Sequence, residues 1–483
     1  MFARVSTAYF CGFDDFGESH RAVFEDARHP SHIFTTTHFG GTKYRPFNRL
    51  STYMCWMLGG GSALPFRLRN LFFHLLCSVC VYGIAWQWTH DRKTCLSASL
   101  LFCLSPAANQ TVVAAIFTNT TAYALLLAGF LLFLYWLRFT QWPVLAASMF
   151  LILIALFFYE PTIVVFAMML GYLLLSRKKR HELKGRQIAA WLGISSAVLL
   201  TFAVARHSIV HGGNSRVPLL TILQNTAMYA GDLLVPVDPV LASRLFGTPL
   251  PPTIHLGRTV LLFVLLLFVA LVAAGAALFP IRVIQSGFRQ LDKSLAIFLT
   301  ASIVAVLAPF LLFAPHPSET YLYLPAALYA LLLSLLFRAF LSSSEVAYGI
   351  VLAFFLLCYA GGTWVRNEKV AQCGAVAARI LEQLPVEGWK VGQNNIRLAN
   401  APGEVGQRHY GIYLYHGLST IERGEPGDSP AAMYALQLAT KNSQLRVEVV
   451  DPLAMANSCS IPRTCFWVYS DGSVQEVISA SIK

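Results

Sequence analysis

The chain has 483 residues, of which 56% are hydrophobic and only 12% are charged, and its formal net charge is +12. Soluble globular proteins are about 25% charged, so this composition excludes an ordinary soluble domain and predicts a polytopic membrane protein. The positive charge does not indicate a nucleic-acid partner. The basic residues occur in short blocks between apolar runs, where the positive-inside rule places them.

Residues 1–63 contain no apolar run long enough to cross a bilayer, and they carry the adjacent acids Asp14 and Asp15. We interpret this stretch as an extracytoplasmic acidic loop, and we expect that a helix preceding it is missing from this chain. One carboxylate beside a membrane can act as a general base towards an acceptor hydroxyl, while its neighbour holds a cation or orients the acceptor. The alternative is a pair of solvated loop acids.

The four histidines of the same stretch lack the spacing of a zinc site, so no metal site is predicted. A divalent cation is compatible with the acids but is not required by the sequence. The histidines are His20, His29, His32 and His38.

Ten apolar runs follow, and we predict that each is a membrane span. About 20 residues are needed to cross the hydrocarbon core perpendicularly, so the short second run is predicted to be a partial or tilted helix. The runs are 64–88, 94–107, 113–137, 143–158, 160–175, 187–206, 258–280, 294–314, 323–341 and 345–364.

Charge supports one orientation of these spans. With the acidic loop outside, the inner segments receive the basic blocks near 92–93, 177–186 and 282–293, whereas the short outer turns near 108–112 and 315–320 contain no Lys or Arg. This asymmetry follows the positive-inside rule. It predicts a multi-pass protein of the bacterial inner (plasma) membrane whose C-terminal region is extracytoplasmic.

The composition changes at about residue 365. Apolar positions at helical spacing predict an amphipathic helix, and the later segments LRVEVVD and CFWVYSDGSVQEVI read as strands, with a hairpin turn at Asp471-Gly472. We therefore predict three parts, namely the loop 1–63, an all-α polytopic membrane bundle over 64–364, and a small α/β extracytoplasmic domain over 365–483.

Polar residues near the ends of the spans are further candidates. Tyr44 and Arg45 precede the first span, and an arginine at the mouth of a membrane cavity can bind phosphate through its bidentate fork; the alternative is snorkelling to lipid headgroups. Asn70 and His74 are four residues apart and share a helix face. Polar groups at membrane depth usually face the bundle interior, and a packing hydrogen bond is favoured over a ligand role for this pair.

Glu160 lies at a break between two apolar runs, at the predicted external edge. It can face the same cavity as the acidic loop, or it can be an ordinary helix N-terminal acid that the helix dipole favours. Tyr321 and Tyr323 begin another span at that edge, where tyrosines also serve as interfacial anchors.

The order of these segments resembles that of the integral-membrane GT-C glycosyltransferases. The likeness is greatest to the protein O-mannosyltransferase-like branch, which includes the transmembrane tetratricopeptide-repeat O-mannosyltransferases, and it extends over about residues 12–365. The matching segments are Asp14-Asp15, Ile33 to Gly41, Tyr44 to Phe47, Phe66 to His74, Glu160 and Tyr321 to Pro325.

The resemblance implies a GT-C-like fold and transfer of a sugar from a polyprenyl-phosphate donor on the external side of the membrane. It assigns the catalytic base to Asp14 or Asp15 and a donor-phosphate contact to Arg45, and we favour inversion at the sugar. The implied partners are a polyprenyl-phosphate sugar, the lipid bilayer and an acceptor that is a protein, a glycan or a lipid.

The chain also departs from this branch. The tetratricopeptide repeats are absent, and residues 105–110 lack the histidines and the acid of the branch's His-Pro-x-His-Thr-Glu run. These losses motivate an alternative, a non-catalytic polyprenyl-lipid binding protein or a flippase. Transporters usually need ionisable residues at mid-bilayer, and the predicted spans have almost none there, which favours the enzyme.

Overall fold

The chain is a helical, multi-pass membrane protein with a small C-terminal α/β unit. The computed structural model of the chain describes residues 2, 6, 8–10, 13–37, 43–175, 185–207, 219–236, 287, 289–311, 319–341, 344–388, 395–399, 408–409, 412–413, 427–428, 430–450, 465–469 and 473–476.

The acidic N-terminal stretch is folded into short helices rather than an open loop. Its elements are α1 (Phe13–Arg21), a π-helical turn (Ala22–Asp26), α2 (His32–Thr35) and α3 (Pro46–Gly59). Proline at the first position of α3 sacrifices no intrahelical hydrogen bond. Gly60 ends α3 with φ of 56°, a left-handed conformation that glycine adopts without strain.

The membrane body comprises α4 to α14 among the described residues. Prolines occupy the first turns of α4, α6 and α8, where they are tolerated. The bounds are Leu64–Thr89 (α4), Arg92–Leu104 (α5), Pro106–Val113 (α6), Asn119–Phe139 (α7), Trp142–Phe158 (α8), Val164–Leu175 (α9), Gly185–His207 (α10), Leu219–Leu234 (α11), Lys293–Leu311 (α12), Tyr323–Leu341 (α13) and Glu345–Gly388 (α14), with 3-10 turns at Glu160–Ile163 and Glu319–Leu322.

Six of these helices are long and apolar enough to cross a membrane, namely α4, α7, α10, α12, α13 and α14. The helices α5 and α6 would form a seventh span that is bent by 56°, which agrees with the partial or tilted helix predicted over 94–107. The helix α8 and the stretch Glu160–Leu175 are shorter. The predicted span 258–280 lies outside the described residues, so the number of ten spans stays a prediction.

The last membrane helix is longer than the sequence pattern suggests. We predicted a span over 345–364 followed by a separate amphipathic helix, but α14 runs without interruption for 44 residues. At 1.5 Å per residue it is about 66 Å long, roughly twice the hydrocarbon thickness. It therefore continues from the membrane body into the C-terminal unit.

Side-chain contacts fix the direction of the helices. Tyr123, near the start of α7, meets Tyr159, just after the end of α8, with ring centroids 5.7 Å apart. Arg338, near the end of α13, donates to the Thr89 carbonyl at the end of α4 at 3.3 Å. The starts of α4 and α7 and the end of α8 thus lie at one end of the bundle, and the ends of α4, α7 and α13 lie at the other.

Close packing holds the bundle together, because lipid removes much of the hydrophobic drive between helices. A Cβ built at Gly129 on α7 would lie 2.8 Å from Ile152 of α8, so these two helices approach as closely as glycine permits. The helix α6 is buried along its whole length inside the bundle. Asn109 of α6 donates to Asn367 of α14 at 2.8 Å and ties it to the long helix.

The C-terminal unit is a five-stranded sheet with helix α15 (Pro430–Thr440) against it. The strand order is β4-β5-β1-β6-β7; β1 is parallel to both of its neighbours, and the outer strands are antiparallel. The strands are β1 (Asn395–Ala399), β4 (Gly427–Asp428), β5 (Arg446–Val450), β6 (Cys465–Val468) and β7 (Val474–Glu476), and a separate ladder joins β2 (Arg408–His409) and β3 (Ile412–Tyr413).

The predicted strands near the C-terminus are present as β5, β6 and β7, while the turn at Asp471-Gly472 lies outside the described residues. One hydrophobic cluster joins this unit to the N-terminal stretch. Phe10 and Phe16 are buried together with Leu436 of α15 and Phe466 of β6. The helix α1, which carries the acidic pair, thus packs against the C-terminal unit.

Candidate active site

Asp15 is buried at the junction between α1 and the membrane body. Its side chain is 5% exposed, and its Oδ1 accepts a hydrogen bond from the backbone N–H of Ile116 at 3.2 Å. Ile116 belongs to the non-helical segment 114–118 between α6 and α7. The side chain of Asp14 lies outside the described residues.

The segment 114–118 is held by two neighbouring side chains of α4. Asn70 donates to the Ala114 carbonyl at 2.7 Å, and Arg69 Nη2 donates to the carbonyls of Ala115 at 3.0 Å and Phe117 at 3.2 Å. Backbone that leaves the helix inside a membrane protein needs such partners, because lipid offers none. Asn70 therefore makes the packing hydrogen bonds favoured above, and these contacts support the backbone to which Asp15 is bound.

Arg45 and Glu160 form an ion pair although 115 residues separate them in the chain. Arg45 Nε lies 2.6 Å from Glu160 Oε2, and the backbone N–H of Tyr44 donates to Oε1 at 3.3 Å. The guanidinium carbon also lies 4.6 Å from the centroid of the Tyr159 ring. Among the described residues the two terminal nitrogens of Arg45 have no hydrogen-bond partner.

His74 and Tyr323 meet in the interior of the bundle. The Tyr323 hydroxyl lies 2.8 Å from His74 Nδ1, and His74 Nε2 lies 3.0 Å from the Cys103 carbonyl. A carbonyl only accepts, so Nε2 carries the proton and Nδ1 accepts from the tyrosine. The pair is a satisfied hydrogen-bonded contact between α4, α5 and α13.

A row of aromatic side chains connects the two polar pairs. Tyr323 stacks on Tyr123 with centroids 5.4 Å apart and planes at 14°, and Tyr123 meets Tyr159 edge-on at 5.7 Å. Tyr159 in turn lies beneath Arg45. Tyr321 instead stacks on Phe310, with centroids 4.1 Å apart.

We call the end of the bundle that holds Asp15, Arg45 and Glu160 the acidic end. Four further predicted residues lie between the acidic end and the interior of the bundle. They contact Glu160, the segment 114–118 or the aromatic row, and they are Tyr44, Asn70, His74 and Tyr323. The opposite end, where Arg92, Lys93, Arg138 and Arg338 lie near the helix termini, is called the basic end.

A second ion pair was missed by the sequence reasoning. Arg49 pairs with Asp26 through two nitrogens, and the two side chains are only 1% and 2% exposed. Arg49 also donates to the His32 carbonyl at 2.7 Å. Arg49 thus joins α3 to the π-helical turn and to α2. The sequence signal for this pair is only an acid and an arginine 23 residues apart.

Burial also affects the protonation of His20, which lies where α1 contacts α15. The His20 ring lies between Phe24 and Tyr434, with centroids 4.6 Å from each. Desolvation by burial lowers the pKa of His20, against a smaller opposing effect of Glu25. His20 is therefore held neutral at physiological pH. Burial likewise raises the pKa of the Tyr44 hydroxyl.

Within the described part of the chain, no group of three or more His, Cys, Asp or Glu side chains is arranged to hold a metal ion. The side chain of Asp14 is outside that part, so the sequence-based statement about metals stays a prediction.

Comparison with known proteins does not identify a family or a function for the chain. No protein-family model matches the chain, and no curated protein matches it. The chain is similar to a solved structure, ArnT from Cupriavidus metallidurans bound to undecaprenyl phosphate, with 15% identity over 97% of this chain and 90% of that one and a TM-score of 0.39. At this level the similarity is too low to transfer function.

Proposed function

We propose that the chain is a GT-C-type membrane glycosyltransferase, which moves a sugar from a polyprenyl-phosphate donor to an extracytoplasmic acceptor. The observation that carries the proposal is that one end of the bundle holds both the buried carboxylate of Asp15 on α1 and an arginine, Arg45, that is oriented by Glu160. Attack by a hydroxyl needs a base, and departure of a phosphate is assisted by a cation. The acidic pair that includes Asp15 would supply the base, and Arg45 would supply the cation.

The proposed reaction is a single displacement. The base takes the proton of the acceptor hydroxyl, and the hydroxyl oxygen forms a bond to the anomeric carbon of the sugar. The bond from that carbon to the phosphate oxygen breaks, and its electron pair leaves with the lipid phosphate. The terminal nitrogens of Arg45 stabilise the departing charge through charge-assisted hydrogen bonds. One displacement inverts the anomeric centre.

The environment of Asp15 separates the roles of the two adjacent acids. The Asp15 carboxylate is buried and already accepts a hydrogen bond from the backbone N–H of Ile116. We therefore assign the base to Asp14, and we assign to Asp15 the positioning of α1 against the backbone of Ile116.

The proposed setting is the bacterial inner (plasma) membrane, with the acidic end and the C-terminal unit on the extracytoplasmic side. The exposed cations of the basic end support this orientation, since positive charge is retained on the cytoplasmic side. Reporter fusions or thiol labelling at the C-terminus test it. Labelling from the cytoplasmic side alone contradicts the orientation.

The proposal is tested by a transfer assay with the purified chain in proteoliposomes. A panel of radiolabelled polyprenyl-phosphate sugars is offered together with membrane extract as the acceptor source. We expect transfer from at least one donor by the unaltered chain, none by Asp14→Asn, and reduced transfer by Asp15→Asn. The matched control is Glu345→Gln, which removes an exposed carboxylate at the basic end.

Two outcomes would overturn this assignment. Full transfer by both aspartate variants would exclude the acidic pair from catalysis. Binding of polyprenyl phosphate without transfer from any donor, by a folded protein, would instead support the lipid-binding or flippase alternative. Loss of transfer in Asp15→Asn alone would exchange the roles of the two acids.

A further inference from the structure

A cleft lies between α4 and α7 towards the basic end, far from the acidic pair. It has a volume of about 430 Å³, and its lining includes Gly83 and Trp86 of α4 and Leu131 and Tyr135 of α7. A Cβ at Gly83 would lie 2.8 Å from Leu131, so the two helices touch closely at that level. The cleft is therefore built into the packing of two membrane-spanning helices.

The lining of the cleft changes character along its length. Leucine and tyrosine side chains form its walls, whereas Gln87 and Arg92 lie beside it where α4 ends and α5 begins. Tryptophan and tyrosine near helix ends mark the boundary between hydrocarbon and headgroups. The apolar walls suit the acyl chain of a lipid that lies in the hydrocarbon core. The amide of Gln87 and the guanidinium of Arg92 suit the phosphate of that lipid at the membrane surface.

Arg92 is the charged residue at the rim of the cleft. Arg92 is exposed and has no ion pair among the described residues, while its neighbour Lys93 pairs with Glu345. The adjacent carboxylate of Asp91 accepts hydrogen bonds from the backbone of Lys93 and Thr94 and so serves as the cap of α5. Since no described carboxylate pairs with Arg92, its guanidinium is available to an anion that enters the cleft.

We propose that this cleft binds one anionic phospholipid of the leaflet at the basic end. The acyl chain lies against the apolar walls between α4 and α7, and the phosphate is bound by Arg92 with Gln87 as a second donor. A zwitterionic lipid carries its own cation beside the phosphate and gains less from Arg92. The site differs in position and in ligand from the sugar-transfer site, and it stands whether or not the chain is a glycosyltransferase.

Lipid titrations followed by native mass spectrometry test the site, with phosphatidylglycerol and phosphatidylcholine as the two probes. We expect phosphatidylglycerol to bind more tightly to the unaltered protein. Arg92→Gln should weaken its binding about fivefold, which corresponds to about 1 kcal/mol for one basic residue at a membrane surface. Leu132→Trp, which narrows the cleft, should weaken both lipids.

The matched control is Arg138→Gln, because Arg138 is an exposed cation at the same end but does not line the cleft. Unchanged phosphatidylglycerol binding in this variant supports a defined site. Equal losses in Arg92→Gln and Arg138→Gln would show diffuse attraction to a basic surface and overturn the proposal. So would equal binding of the two lipids to the unaltered protein.

Discussion

Two ion pairs at opposite ends of the bundle have nearly the same length but different surroundings. Arg45 and Glu160 at the acidic end approach to 2.6 Å with side chains 10% and 17% exposed, and Lys93 and Glu345 at the basic end approach to 2.5 Å with side chains 63% and 82% exposed. Water and salt screen the exposed pair, whereas the sheltered pair keeps more of its Coulomb energy.

The distance between two charged groups alone therefore does not locate a functional site. At the acidic end, the carboxylate of Glu160 accepts from two consecutive residues and Arg45 lies over an aromatic ring, so both partners have fixed orientations. At the basic end, both partners are long, exposed side chains that gain little from being paired. Variants that break the pair at the acidic end should therefore lose activity, whereas variants that break the pair at the basic end should not.

The largest effect is expected from Asp26→Asn, which removes the charge that neutralises Arg49 in the interior. Breaking a buried ion pair typically costs about 3–5 kcal/mol, because one charge is left uncompensated. We expect a large drop in melting temperature and in the yield of monodisperse protein by size-exclusion chromatography. Glu25→Gln is the control, since Glu25 is 55% exposed and its pair with Arg21 spans 3.4 Å. Equal behaviour of the two variants would refute the role of the buried pair.

The second effect concerns activity. Glu160→Gln keeps the shape of the side chain but removes the charge that orients Arg45, so we expect at least about a tenfold loss of transfer, roughly 1.4 kcal/mol, with little loss of folded protein. The loss should appear in kcat/KM for the donor, because Arg45 is proposed to stabilise the departing phosphate. If kcat/KM for the donor is unchanged, Arg45 does not assist that departure.

A smaller, pH-dependent effect is expected where α1 packs on α15. Because burial lowers the pKa of His20, the unfolded chain binds a proton more readily than the folded one. Stability should therefore be constant above pH about 6.5 and should fall as pH drops below that ordinary value. His20→Phe, which preserves ring packing against Tyr434, should flatten this part of the profile. Melting curves between pH 5 and 8 check it, and an unaltered slope would contradict it.

The smallest effect is expected from the exposed pair. Lys93→Gln and Glu345→Gln should leave the melting temperature and transfer activity within experimental error at physiological salt, because the pair is open to solvent on both sides. Thermal melts of both variants in low and high salt measure this. A clear drop in melting temperature in either variant would show that solvent exposure does not explain the difference between the two ion pairs.

Much of the fold could be predicted because membrane spans depend on local composition. Runs of apolar residues predicted α4, α12 and α13 closely and α7 with a start six residues too early, and the segments LRVEVVD and CFWVYSDGSVQEVI predicted β5, β6 and β7. The continuity of α14 was missed because charged residues such as Arg366 and Glu368 suggested a domain boundary, whereas the helix continues through them and through the preceding Gly361-Gly362.

The sequence singled out candidate site residues one by one but not their arrangement, and their catalytic roles stay predictions. Asp15, Arg45 and Glu160 stood out because charged groups next to apolar spans are rare. The pairing of Arg45 with Glu160 and of Asp26 with Arg49 depends on contacts between distant segments, which local patterns do not contain. Burial of the acidic stretch was missed for the same reason, since its cover comes from a C-terminal unit more than 370 residues further along the chain.

The most direct measurement compares sugar transfer by Asp14→Asn and Glu345→Gln, each in proteoliposomes and normalised to folded protein. The proposed chemistry predicts no detectable transfer by the first variant and full transfer by the second, because only the acidic end carries the reaction. Equal transfer by the two variants would contradict the assignment of the catalytic site to the acidic end.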